Sequence, residues 1–135
     1  MRLLRHIHCP LIIALMCCAM TACINRDHHH EGTLTPQQAT QQLQKWGDKL
    51  ILVDVRLPEE YKQGHIPGTI NIPLESLTPE KIATFPDGPI LIICRCGVRA
   101  HDAYHRILDA QPQRKDVTYL NGTTRFSSDG SFTFE

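Results

Sequence analysis

The sequence predicts an α/β fold built on a parallel sheet, and three observations carry that expectation. Short apolar runs recur at residues 50–53, Ile90–Ile93 and Val117–Leu120, with segments of helical character between them. The run Ile90, Leu91, Ile92, Ile93 is apolar at every position rather than every second one, which suits a strand covered on both faces. Directly after it the period changes: Ala100, Ala103, Ile107 and Leu108 fall at i, i+3, i+7 and i+8, one apolar stripe of a helix. Strands that alternate with helices in this way build a parallel sheet.

Before the first element comes a leader. Arg2 and Arg5 give a basic start, residues 11–20 form an uncharged apolar core, and Ala22 precedes Cys23. The core is shorter than the roughly 20 apolar residues of a membrane span, so residues 1–22 read as a secretory signal. Residues 23–32 are a polar tether holding His28, His29 and His30. Three neighbouring histidines do not easily share one ion, and the sequence spaces no partner suitably, so no metal site is expected and the tract reads as solvated. The domain is placed at residues 33–135.

Thr33 and Leu34 make a very short first strand. Thr35, Pro36 and Gln38 then start a helix, with the hydroxyl as N-cap, proline at the first helical position and the glutamine placed to reach back. Ala39, Leu43 and Trp46 line one side of it, and Gly47 ends it. A strand is expected over residues 49–55, followed by a helix over Pro58–Gln63 stopped by Gly64. The turn-rich Gly64 to Gly68 leads to a brief strand at residues 70–73, and Thr78 with Pro79 starts a helix expected to run through Phe85. The last strand ends at Asn121 and Gly122, and residues 124–135 receive no assignment.

The 135 residues suffice for one modest domain. Fourteen Lys plus Arg balance fourteen Asp plus Glu, which gives no footprint for nucleic acid. Of six cysteines, Cys9, Cys17 and Cys18 leave with the signal, so an exported chain keeps Cys23, Cys94 and Cys96 and no disulfide framework.

Cys94 stands between a strand end and a helix start. The first N–H groups of a helix lack carbonyl partners and the helix dipole adds positive charge there, so an anion is favoured. Arg95 and Arg99 are expected to add fixed charge around the loop, and the thiolate is the nucleophilic form of cysteine. These features point to a reactive Cys94, with a buried structural thiol as the alternative.

The segments Asp54-Val55-Arg56, Glu59-Glu60-Tyr61, Gly64-His65-Ile66-Pro67-Gly68, Asn71-Ile72-Pro73 and Cys94-Arg95-Cys96-Gly97-Val98-Arg99 together resemble a single-domain rhodanese. The resemblance runs from about Leu34 to Gly122. It implies a parallel sheet of about five strands with helices on both faces, and a sulfurtransferase that moves a sulfane sulfur from thiosulfate or a similar donor to cyanide or a thiol. Cys94 matches the persulfide-forming cysteine. Arg95, Cys96, Gly97, Val98 and Arg99 match the loop around the sulfur. Asp54 and Arg56 match positions that brace the site, or serve as a plain salt bridge, and His65 reads as packing. No metal or organic cofactor is implied.

Departures from the pattern are Ala100 where the family usually has serine, Thr123 in place of a second glycine, and a tail without the expected tryptophan. Four residues separate Cys94 from Arg99, one fewer than the phosphate loop of related phosphatases needs. A sulfur-carrying or redox-sensing module without turnover stays open. So does a Cys94 to Cys96 disulfide, against the simpler reading in which Cys96 points away. The four residues ending at Cys23 resemble a bacterial lipobox, which implies lipidation of Cys23 and a place on the periplasmic side of a membrane, the outer one favoured because Ile24 rather than Asp follows. Cleavage after Ala22 with a free Cys23 is the alternative.

Overall fold

The computed structural model describes residues 31–127 and 129–135. The expected signal segment, Cys23 and the histidine tract lie outside them.

Five parallel strands form the sheet: β1 (Thr33–Leu34), β2 (Ile51–Asp54), β3 (Ile70–Asn71), β4 (Ile90–Ile93) and β5 (Val117–Leu120), in the order β1-β5-β4-β2-β3. Strand β4 is central. Its register pairs Asp54 with Ile93 on one side and Tyr119 with Ile92 on the other. All four of its residues are fully buried, because alternate side chains feed opposite cores. Ile90 and Ile92 join Val53, Ile82, Ala103 and Ile107 on one face, and Leu91 and Ile93 join Ala39, Leu52 and Leu120 on the other.

Helices cover both faces, as expected. Helix α1 (Pro36–Trp46) opens with the anticipated reciprocal cap: Gln38 N–H donates to Thr35 Oγ1 and Thr35 N–H donates to Gln38 Oε1. Helix α2 (Pro58–Gln63) stops at Gly64. Helix α3 covers only Pro79–Ile82, shorter than expected, because Phe85 precedes Pro86 and the residue before a proline resists the helical conformation. Helix α4 (Val98–Ala110) buries Ala100, Ala103 and Ile107 as the periodicity requires, and Tyr104 with them.

Two strands are also shorter than expected. A 3-10 turn at Gly47–Lys49 delays β2 to Ile51. Strand β3 ends at Asn71, and Pro73 has no N–H to offer a ladder.

The unassigned tail forms an antiparallel hairpin of β6 (Thr124–Phe126) and β7 (Phe132–Phe134), with Phe126 opposite Phe132. Asp129 closes its turn by accepting from Ser131 N–H and Oγ. Thr123 and Glu135 exchange backbone hydrogen bonds at its open end. Phe126, Phe132 and Phe134 pack against the core that α1 covers. Among the described residues no helix is long and apolar enough to cross a membrane.

Candidate functional site

The site lies at the carboxyl ends of β2 and β4, where open α/β sheets hold their ligands. Strand β4 delivers Cys94, which is 1 % exposed, and the chain turns through Arg95 and Cys96 before Gly97 starts α4. Gly97 has φ +85°, in the left-handed region, and a Cβ there would stand 3.3 Å from both Leu120 O and Gly122 N. That conformation turns the Gly97 N–H back onto Cys94 Sγ at 3.1 Å. The sulfur is thus a hydrogen-bond acceptor at the amino end of a thirteen-residue helix. Arg95, Cys96 and Val98 project outward, Val98 with 65 % of its surface exposed. Cys94 and Cys96 are both free thiols, the first buried and the second exposed.

Arg99 is placed differently from the free charge expected of it. Its Nη1 and Nη2 donate to Glu60 Oε2 and Oε1 at 2.6 and 2.9 Å, a fork across 39 positions of sequence. The Arg99 hydrogen bonds hold the Glu60 carboxyl down from 4.5 to about 2, against burial and with help from the Leu57 N–H. Arg99 in turn is raised above its usual range, first by Glu60, and the two cysteines also favour its charge. The arginine therefore fastens the start of α4 to the start of α2. Arg95 forms no ion pair among the described residues and supplies the loop's unpaired positive charge.

Asp54 and Arg56 make the buried ion pair of the site, with Arg56 Nη2 donating to Asp54 Oδ2 at 2.6 Å. Arg56 also donates to Gly64 O at 2.8 Å and stacks its guanidinium 4.2 Å over the Phe126 ring. Asn71 Nδ2 closes the turn by donating to the carbonyls of Asp54 and Arg56. None of these bonds reaches Cys94, so the pair shapes the wall beside the loop. His65 packs as expected, its ring stacked on Tyr61 at 3.9 Å.

Between α2, the loop and the hairpin lies a cavity of about 360 Å³. Arg56, Glu60, Arg95, Thr124, Arg125 and Phe126 are among its walls, so its lining is rich in arginine. The hairpin is bound to the loop directly: Thr124 N–H donates to Arg95 O at 3.0 Å. Cys94, its loop, Asp54 and Arg56, singled out in the sequence, all lie at this end of the sheet, whereas Glu60 as the partner of Arg99 and the wall from Thr124 to Phe126 were not anticipated. Glu60 stood within the Glu59-Glu60-Tyr61 segment, which offered a signal without a partner.

A thiol cradled at a helix N-terminus, at the strand ends of a five-stranded parallel sheet and in a loop whose Arg95 lines an arginine-rich cavity, makes a candidate cysteine-centred site. The chain belongs to the rhodanese-like domain family, which residues 35–125 match. It is 43 % identical over 54 residues to thiosulfate sulfurtransferase PspE of Escherichia coli (strain K12), a match covering 38 % of this chain and 51 % of that one. With a sulfurtransferase of Allochromatium vinosum it shares 37 % identity over 57 residues, 42 % of this chain and 52 % of the relative. The chain spans about half or less of the length of the curated relatives it matches. A solved Bacillus halodurans protein superposes with TM-score 0.56 at 25 % identity, covering 69 % of this chain and 68 % of that one.

Proposed function

We propose that the protein is a thiosulfate sulfurtransferase working through a Cys94 persulfide. The observation that carries this reading is the Gly97 N–H on Cys94 Sγ at 3.1 Å, at the head of α4 and in the loop whose Arg95 lines the cavity. The Cys94 thiolate attacks the outer sulfur of thiosulfate, the S–S bond breaks, and sulfite leaves with the bonding pair. A thiophilic acceptor, cyanide or a thiolate, then takes the outer sulfur and returns Cys94 to the thiolate. The Gly97 N–H, fixed before the reaction at the head of α4, stabilises the anionic sulfur, and the free charge of Arg95 attracts the dianionic donor and the departing sulfite. Cys94 is 1 % exposed, so its reaction with a donor requires the loop from Arg95 to Gly97 to open toward solvent.

The loop has four residues between Cys94 and Arg99, and Arg99 is already committed to Glu60, which disfavours encirclement of a phosphate. A carrier or sensor without turnover is the second reading, favoured by the exposure of Cys96 beside the buried Cys94. Membrane attachment through a lipid on Cys23, with the domain exported to the periplasmic side, rests on the leader sequence. The chemistry is tested with Arg95→Ala: thiosulfate KM should rise about tenfold, the size of one hydrogen bond to a charged group, while the melting temperature stays put. An unchanged KM removes Arg95 from donor binding.

A further inference from the structure

We infer that His101 and His105, on the outer side of α4, form a chelating site for a late first-row divalent metal ion, with Cu²⁺ the tightest binder and Zn²⁺ a weaker one. The two residues sit four apart, one helical turn, and their Nε2 atoms face each other at 3.1 Å. An ion about 2.0 to 2.1 Å from each nitrogen, the usual metal–imidazole distance, would subtend an angle of about 95 to 102° there. That range lies between the cis angle of a tetragonal centre and the tetrahedral angle, so the spacing of the two nitrogens suits one shared ion.

The surroundings orient both rings. His101 Nδ1 lies 3.3 Å from Asp102 Oδ1. A carboxylate there is placed to accept a hydrogen bond from Nδ1–H, the second-shell arrangement that orients metal-binding histidines with Nε2 toward the ion. Each ring also rests on an aromatic neighbour: His101 edge-on to Tyr119 at 5.5 Å, and His105 edge-on to Tyr104 at 5.2 Å. Tyr104 is itself buried and its hydroxyl donates to Glu31 O. Gly32, at φ +90°, passes so close over the Tyr104 ring that a Cβ would stand 2.3 Å from it. The pair therefore stands on a packed platform, and less rotamer freedom is lost on binding than for loose surface histidines.

Imidazole nitrogen suits copper, nickel and zinc, and the stability order of divalent ions places copper highest. No third His, Cys, Asp or Glu among the described residues completes a closed set, so water fills the remaining positions and the site is open. A bound ion would clamp the first two turns of the helix that presents Cys94. The inference stands whatever sulfur chemistry Cys94 performs.

Titration calorimetry of the full chain with Cu²⁺ alone, and separately with Zn²⁺ alone, tests it. Because His28, His29 and His30 precede Glu31 in the chain, a variant with all three changed to Ala accompanies the wild type. Both proteins should bind one ion, with the nitrogen hyperfine pattern of two imidazoles in the Cu²⁺ spectrum. Asp102→Asn should weaken binding about tenfold, the usual loss for an outer-shell partner, and His101→Ala and His105→Ala should each weaken it more. His105→Gln and circular dichroism check that the losses are not losses of fold. Unchanged affinity in His101→Ala and His105→Ala overturns the inference. So does absence of binding in the wild type, or loss of binding in the triple variant with the pair intact.

Discussion

Replacing Glu60 by Gln isolates the ion pair that fastens the start of α4 to α2. The carboxyl is held from 4.5 down to about 2, chiefly by the Arg99 hydrogen bonds. A group whose folded pKa is depressed adds stability above its unfolded pKa and loses it as pH falls through the folded value. Taken whole, that interval corresponds to about 3 kcal/mol. The Arg99 and Glu60 side chains are 30 % and 25 % exposed, so solvent screening reduces the contribution to about 1 to 2 kcal/mol. Urea unfolding of wild type and Glu60→Gln at about pH 7, 5 and 3 reads the difference directly. The gap should hold from neutral pH down to about 5, shrink below 4.5, and be nearly gone at about 2. A gap as large at pH ~3 as at pH ~7 would assign the effect to packing, and no gap at neutral pH would remove the pair from the stability of the site.

Two further outcomes follow from the site and the leader. Gly97→Ala forces a Cβ into the left-handed region against Leu120 O and Gly122 N, so it should cost about 2 to 3 kcal/mol in denaturant titrations and lower turnover through the displaced N–H. Cys23→Ala should release the protein from membranes into the soluble fraction, checked by fractionation together with the N-terminal mass of the wild type; a wild type already soluble with an unmodified Cys23 would contradict the anchor.

The sheet was legible because its strands are locally written. Ile90 to Ile93 is apolar at all four positions and is buried at all four, and the stripe of Ala100, Ala103 and Ile107 is the buried face of α4. Cys94 was legible for the same reason, since its position follows from the junction of those two patterns. The Arg99 partner was not, because Glu60 lies 39 residues away and many acidic residues are equally plausible in sequence. The tail hairpin escaped because each strand has only three residues, too few for a period to show. What holds it is tertiary: Phe132 and Phe134 against the α1 core, Phe126 under Arg56, and the Thr124 N–H on Arg95 O. That wall of the cavity belongs to the part of the chain where the expected tryptophan is missing.

The central claim is a sulfur carried on Cys94, and intact-mass spectrometry tests it most directly. Protein treated with thiosulfate should gain the mass of one sulfur atom, peptide mapping should place it on Cys94, and cyanide should remove it as an equal amount of thiocyanate. Cys94→Ser should show neither the gain nor thiocyanate, while Cys96→Ser shows both. A sulfur found on Cys96 alone, or thiocyanate still formed by Cys94→Ser at the wild-type rate, would contradict the account.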